Sequence, residues 1–269
     1  AELNSDNKET AAKLAETKEL YTETLIELAR DYREKSEKAA ARLEGLTAKK
    51  RKKDKANWEE RKNRNEANNT YQRALEVSPD NAELLAEYQD YRKEQSNSQL
   101  DEAIKNVELA DKATDKDRFK KLEKKQKLLD TALKQTDKAL ALDETNKRAE
   151  EIKEEVISKL EETHLEKADG HKKRGEAIAE KNKPTAALND LTAAVDNYQK
   201  ALDINPDNAE AKDNLAEVEK SLAKAFVEAG KEEMKKADQL AEKSSTEQPK
   251  NAENGEGEVK PSADVSVLL

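Results

Sequence analysis

The sequence predicts an all-α protein built from long antiparallel helices joined by tight turns. Three observations carry that prediction. First, one stretch recurs. Tyr198-Gln-Lys-Ala-Leu-Asp-Ile-Asn-Pro-Asp-Asn-Ala-Glu210 is nearly repeated as Tyr71-Gln-Arg-Ala-Leu-Glu-Val-Ser-Pro-Asp-Asn-Ala-Glu83, and a worn copy runs Thr136-Asp-Lys-Ala-Leu-Ala-Leu-Asp-Glu-Thr-Asn146. The anchor alanines Ala74, Ala139 and Ala201 lie 65 and 62 residues apart, and repetition at a near-constant period marks a repeat architecture. Second, charged residues make up 41% of the chain and hydrophobic ones only 34%, with 6 Gly and 5 Pro. That mixture suits exposed helices that each bury a narrow stripe rather than a thick globular core. Third, the apolar residues fall at helical spacings, which argues against the disorder that high charge and low hydrophobicity would otherwise signal.

Residues 5–47 read as one helix, because Tyr21, Leu25, Leu28, Tyr32, Ala39, Leu43 and Leu46 step along one face. Asn4, Ser5 or Asp6 is a candidate cap, and Gly45 sits where the helix would end. The second helix begins in the most basic stretch, Lys49, Lys50, Arg51, Lys52 and Lys53, with Trp58 expected to pack inward. It stops at Ser78-Pro79, because Pro79 pushes Ser78 out of the helical region, and Asp80 or Asn81 then caps the next helix. Residues 80–112 follow, with Gln95-Ser-Asn-Ser98 expected to bend or break the run, since Ser and Asn side chains compete for backbone hydrogen bonds. Further helices cover 115–142 and 145–181, the latter weakened at Gly170 and Gly175. Pro184 opens another, ending at Asn205-Pro206, and a last helix spans about 207–243. From Ser244 the sequence loses its period, so 244–269 reads as a flexible, disordered tail beside an all-α domain over 1–243.

The formal net charge is −9, which makes nucleic acid an unlikely global partner. The basic run 49–53 is the exception. It reads either as a patch for an anionic partner or as an ordinary solvated helix start. There is no cysteine, so disulfides, thiolate metal sites and cysteine nucleophiles are excluded. No apolar run is long enough to span a membrane. Together with the start at Ala1, the lack of cysteine tilts the expected location slightly toward the extracytoplasmic side, with the compartment otherwise unknown.

The repeated stretch resembles the second helix of a tetratricopeptide repeat (TPR), which places an alanine, then an aromatic, then an alanine and a turn proline at fixed offsets. Ala67, Tyr71, Ala74 and Pro79 fit it, as do Ala194, Tyr198, Ala201 and Pro206 with the same spacing. Ala132 and Ala139 keep the alanines, while Thr136 replaces the aromatic. The alanines allow close helix approach, and the aromatic fills the gap beside them. The family's first-helix signature is nearly absent, Leu215-Ala216 being its closest match. The period is almost twice the family's roughly 34 residues. Either a degenerate unit, such as one starting at Leu109, lies between the copies, or the helices are stretched.

Candidate chemistry is thin. His164 and His171 are seven apart, close enough on one helix for a weak metal site with nearby glutamates, but the spacing matches no metalloenzyme motif, so they read as solvated. No phosphate loop or nucleophile triad is present. The resemblance implies a non-enzymatic scaffold of TPR-like solenoid type, without a cofactor or small-molecule substrate, that binds a protein or peptide partner. The alternative is an elongated bundle or coiled coil that self-associates as a homo-oligomer.

Overall fold

The computed structural model describes the backbone of residues 2–45 and 50–246 and the side chains of 7–43 and 52–243. Among the described residues there are seven helices and no strand: α1 (Glu2–Gly45), α2 (Lys50–Val77), α3 (Ala82–Asp111), α4 (Arg118–Leu142), α5 (Lys147–Glu180), α6 (Pro184–Ile204) and α7 (Ala209–Thr246). The expected tail falls outside the described residues from 247 onward, and α7 extends past Ser244 to Thr246.

The long period is now explained. The three sequence copies sit at the ends of α2, α4 and α6, and one helix, α3 or α5, separates each from the next. The helices are stretched, and no extra unit is interposed. Leu109 belongs to the last turns of α3.

The connections after α2, α4 and α6 share one hydrogen-bond frame. The N–H groups of Ser78, Asp143 and Asn205 donate to Ala74, Ala139 and Ala201 carbonyls, each at 2.9 Å. The N–H groups of Asn81, Asn146 and Asn208 donate to the Ser78, Asp143 and Asn205 carbonyls, each at 3.2 Å. The side chains of those same asparagines then cap the following helices. Their Oδ1 atoms accept from the N–H groups of Leu84, Ala149 and Ala211 at 3.0, 3.1 and 2.9 Å. An Asn seven residues past the anchor alanine thus satisfies an orphan amide of each new helix. The turn survives in the copy that lacks proline.

The chain divides into two compact units, Ala1–Lys112 with Lys127–Val156, and Ala113–Gln126 with Ile157–Leu269. In the first, Leu25, Ala29, Ala67, Tyr71, Ala74, Leu84, Tyr88 and Tyr91 form one core, and Leu100, Ala139 and Ala149 form another. In the second, Ala168, Ala187, Leu191, Ala194, Tyr198, Val218 and Ala225 are buried together. Gly175 allows α5 and α6 to touch: a Cβ there would lie 2.8 Å from Leu191 Cγ and 3.1 Å from its backbone nitrogen.

Several expectations are corrected. α1 starts at Glu2, so Asn4, Ser5 and Asp6 lie inside it. Its buried side is Thr22, Leu25, Ala29, Ser36 and Ala39, which leaves Tyr21 and Leu28 exposed. Trp58 is 62% exposed rather than packed inward, with Lys62 Nζ 5.2 Å from its ring centroid. α3 runs unbroken through 95–98, where Ser96 and Asn97 find partners on the end of α4 and the turn after it. Ser96 Oγ donates to Ala139 O at 2.8 Å and accepts from Asn146 Nδ2 at 2.9 Å.

Candidate protein-interaction surface

The repeat positions are core positions. Ala67, Tyr71, Ala74, Ala132, Ala139, Ala194, Tyr198 and Ala201 are all fully buried, whereas Pro79 and Pro206 are exposed at the turns. The buried alanines and tyrosines leave no side-chain surface for a ligand. Lys52 and Lys53 are exposed on α2; Lys49 and the side chains of Lys50 and Arg51 lie outside the described residues.

The two tyrosines at the repeat's aromatic position carry buried hydroxyls that need acceptors. Tyr71 donates to Glu87 at 2.8 Å, and that carboxylate also accepts from Arg30 at 2.9 and 2.6 Å. Burial, with the adjacent Glu87 carboxylate, pushes the Tyr71 phenol up to about 12. Tyr198 donates to Asp169, and burial and that carboxylate raise its pKa as well.

A groove of about 390 Å³ lies between α2, α3 and α4. Arg64, Asn65 and Asn68 reach it from α2, and Tyr91, Arg92, Gln95 and Gln99 from α3. Lys138, Ala141 and Leu142 come from the C-terminal part of α4. No carboxylate is among them. Several are held in place. Tyr91 Oη donates to Arg64 O at 3.1 Å, and Asn68 Oδ1 accepts from Tyr88 Oη at 2.9 Å. Arg92 Nη2 donates to Ala141 O at 2.8 Å, with its guanidinium 5.9 Å from the Tyr88 centroid. Gln95 Oε1 is buried without a hydrogen-bond donor.

Two other clefts have the opposite character. One, between α1 and the start of α3, carries Glu19, Glu23, Glu27, Glu83 and Glu87 against Lys18 and Arg30. The other, in the second unit, carries Glu176, Glu180, Glu228 and Glu232 against Lys224.

The histidines are not solvated. His164 is buried, with Nδ1 3.2 Å from Asn197 Oδ1. His171 Nδ1 lies 2.8 Å from Asp190 Oδ1, and its ring centroid is 4.2 Å from that of Phe119. Arg174 Nε donates to Asp190 Oδ2 at 2.7 Å. Burial alone would raise the Asp190 carboxyl, but hydrogen bonds from Arg174 and His171 outweigh it and hold it below its ordinary value. These residues act as structural ties. No His, Cys, Asp or Glu cluster suited to a metal ion occurs among the described residues.

Paired helices, a repeated capped turn and an alanine–aromatic packing position define the class: an all-α helical-repeat protein. A family model described as TPR repeat matches residues 186–219, which cover α6, its turn and the start of α7 with Leu215-Ala216. The chain is a TPR-like repeat protein. No curated protein and no solved structure matches it. Among the described residues no helix is long and apolar enough to cross a membrane.

Sequence reasoning missed the groove entirely. It quoted the three asparagines but read only Asn81 as a candidate cap. Their common position, seven residues past each anchor alanine, was the available signal.

Proposed function

We propose that the protein is a non-enzymatic protein–protein interaction scaffold whose partner lies along the α2–α3–α4 groove, with the repeat positions Ala67, Tyr71, Ala74, Ala132, Ala139, Ala194, Tyr198 and Ala201 forming the packing seam. The groove's lining supports this reading. It is a trough with three cations and, among the described residues, no carboxylate in its lining, set on long helices in an otherwise acidic chain. Helical repeats use such extended surfaces to hold polypeptides. A photo-crosslinking residue at position 138 or 65 in the full chain should trap a copurifying partner, while one at the exposed position 105 should not. Crosslinks confined to 105 would sink the assignment.

A second reading, self-association, is favoured by α1. Its residues 7–20 are exposed throughout, and Leu14, Tyr21 and Leu28 follow one another at seven-residue steps with their side chains in solvent, the pattern of a coiled-coil seam. Light scattering across a concentration series tests it. A mass that doubles for the native chain but not for Leu14→Glu supports association through α1, and a constant monomer mass removes it.

A further inference from the structure

Resting on the assignment of the groove as the partner site, we infer that it selects an acidic polypeptide segment. Acidic residues number 60 in this chain, yet among the described residues none lines the groove, whereas three cations do. Each cation has capacity to spare. Arg92 uses Nη2 on Ala141 O, which aims the guanidinium and leaves further N–H donors for a carboxylate. Arg64 is engaged through Nη1 with Glu60 at 3.1 Å. Lys138 is exposed and makes no hydrogen bond or ion pair among the described residues. It stands on α4 one turn before the helix ends at Leu142.

The rest of the lining suits a peptide backbone. Asn65 and Gln99 add amide groups, and Gln95 Oε1 is a buried acceptor lacking a donor. Such a group is rare in native proteins. A polypeptide segment can present carboxylates to the cations and backbone groups to the exposed Asn65 amide. Nucleic acid fits less well. Tyr88 and Tyr91 are buried and offer no face for base stacking, and the net charge of −9 repels a polyphosphate.

The test is fluorescence anisotropy with the full chain and a labelled peptide of alternating Glu and Ser, beside Gln–Ser and Lys–Ser counterparts and an RNA oligonucleotide. The Glu peptide should bind more tightly than either counterpart and lose affinity as salt rises. Lys138→Glu should weaken it about tenfold, and Lys138→Ala by a smaller factor. Lys105→Glu, the same charge change on an exposed α3 residue outside the groove, should leave it unchanged. Equal binding of the Gln peptide, indifference to Lys138→Glu, or tighter binding of the RNA would overturn the inference. The crosslink at position 138 reads the groove independently. If it persists while charge selectivity fails, the groove remains the partner site. If both fail, the functional assignment falls with the inference.

Discussion

Tyr71 and Tyr198 occupy the same position of the repeat and are equally buried, yet the two units surround them differently. In the first unit Tyr71 sits among aromatic rings, its centroid 5.7 Å from Tyr88 and 5.4 Å from Tyr91, and its hydroxyl reaches forward to Glu87 on α3. In the second unit Tyr198 sits among alanines, leucines and Val218, and its hydroxyl reaches back to Asp169 on α5. A residue seventeen past the anchor alanine decides part of this. It is Tyr91 in the first unit and Val218 in the second, both buried. The motif fixes where the phenol goes, and the neighbouring helices decide which acceptor it finds.

Truncation should sharpen the contrast most. Tyr71→Ala and Tyr198→Ala should each cost about 3–5 kcal/mol, the range for large aromatic side chains. The two Phe variants should then separate. Tyr198→Phe strips Asp169 of its hydroxyl donor and should cost about 1.5–3 kcal/mol, as for a bond to a charged group. Tyr71→Phe should cost only about 0.5–1.5 kcal/mol, because Glu87 keeps both Arg30 bonds. Urea unfolding with hydrogen exchange read separately over α2–α3 and α6–α7 measures both; equal losses would erase the distinction.

Glycines give the next largest effect. Gly175→Ala should destabilise the second unit by about 1–2 kcal/mol despite the better helix former, because the new methyl meets Leu191 at both side chain and backbone. Gly230→Ala, with nothing within 4 Å, should stabilise α7 by up to about 1 kcal/mol. Thermal melts decide this, and a stabilising Gly175→Ala would mean that the close approach of α5 and α6 is not required.

The capped turns come third. Asn81→Ala should cost about 1 kcal/mol for the lost cap. Asn146→Ala should cost more, because the same side chain also donates to Ser96 Oγ and lies 3.3 Å from Asn97 Oδ1. Glu144 stands where Pro79 and Pro206 stand in the other turns, so Glu144→Pro should stabilise by about 0.4–1 kcal/mol. A lower melting temperature for Glu144→Pro would show that the three turns are not equivalent.

The smallest contrast is in acid. Asp190 is held below its ordinary value by Arg174 and His171, which outweigh burial. Arg30, working against burial and helped by Tyr71, does the same for Glu87. With the folded value depressed, the unfolded chain binds more protons near pH 4. Each carboxylate therefore adds stability above that region and loses it as the pH falls below about 4. Asp190→Asn should flatten the acid limb for α6 and leave that of α2–α3 unchanged, as read by hydrogen exchange between about pH 5 and pH 2.5.

The helices were legible because their ends are written in local residues: Gly45, Ser78-Pro79, Pro184 and Asn205-Pro206 all fall at or beside an element boundary. The seam was legible because Ala and Tyr at fixed offsets stand out against charged neighbours. Trp58 was misread because a single large aromatic in a polar run is hard to tell from a core residue, whereas here it covers no seam and carries a lysine on its face. The 95–98 stretch was misread because Ser and Asn compete with a helix only when nothing else takes their hydrogen bonds, and Ala139 O and Asn146 take those of Ser96. The groove could not be read at all. Its residues are spread from Arg64 to Leu142 over three helices, and one at a time each looks like part of an ordinary solvated face.

The shared turn makes the helical arms interchangeable in length. Its three bonds and its asparagine involve only residues from the anchor alanine to the tenth beyond it, so a helix can gain or lose turns elsewhere without disturbing the joint. The periods of 65 and 62 residues are such a change. Recombination between one joint and another would splice whole helix pairs in or out while every junction kept its cap, so the chain can grow or shrink by the pair.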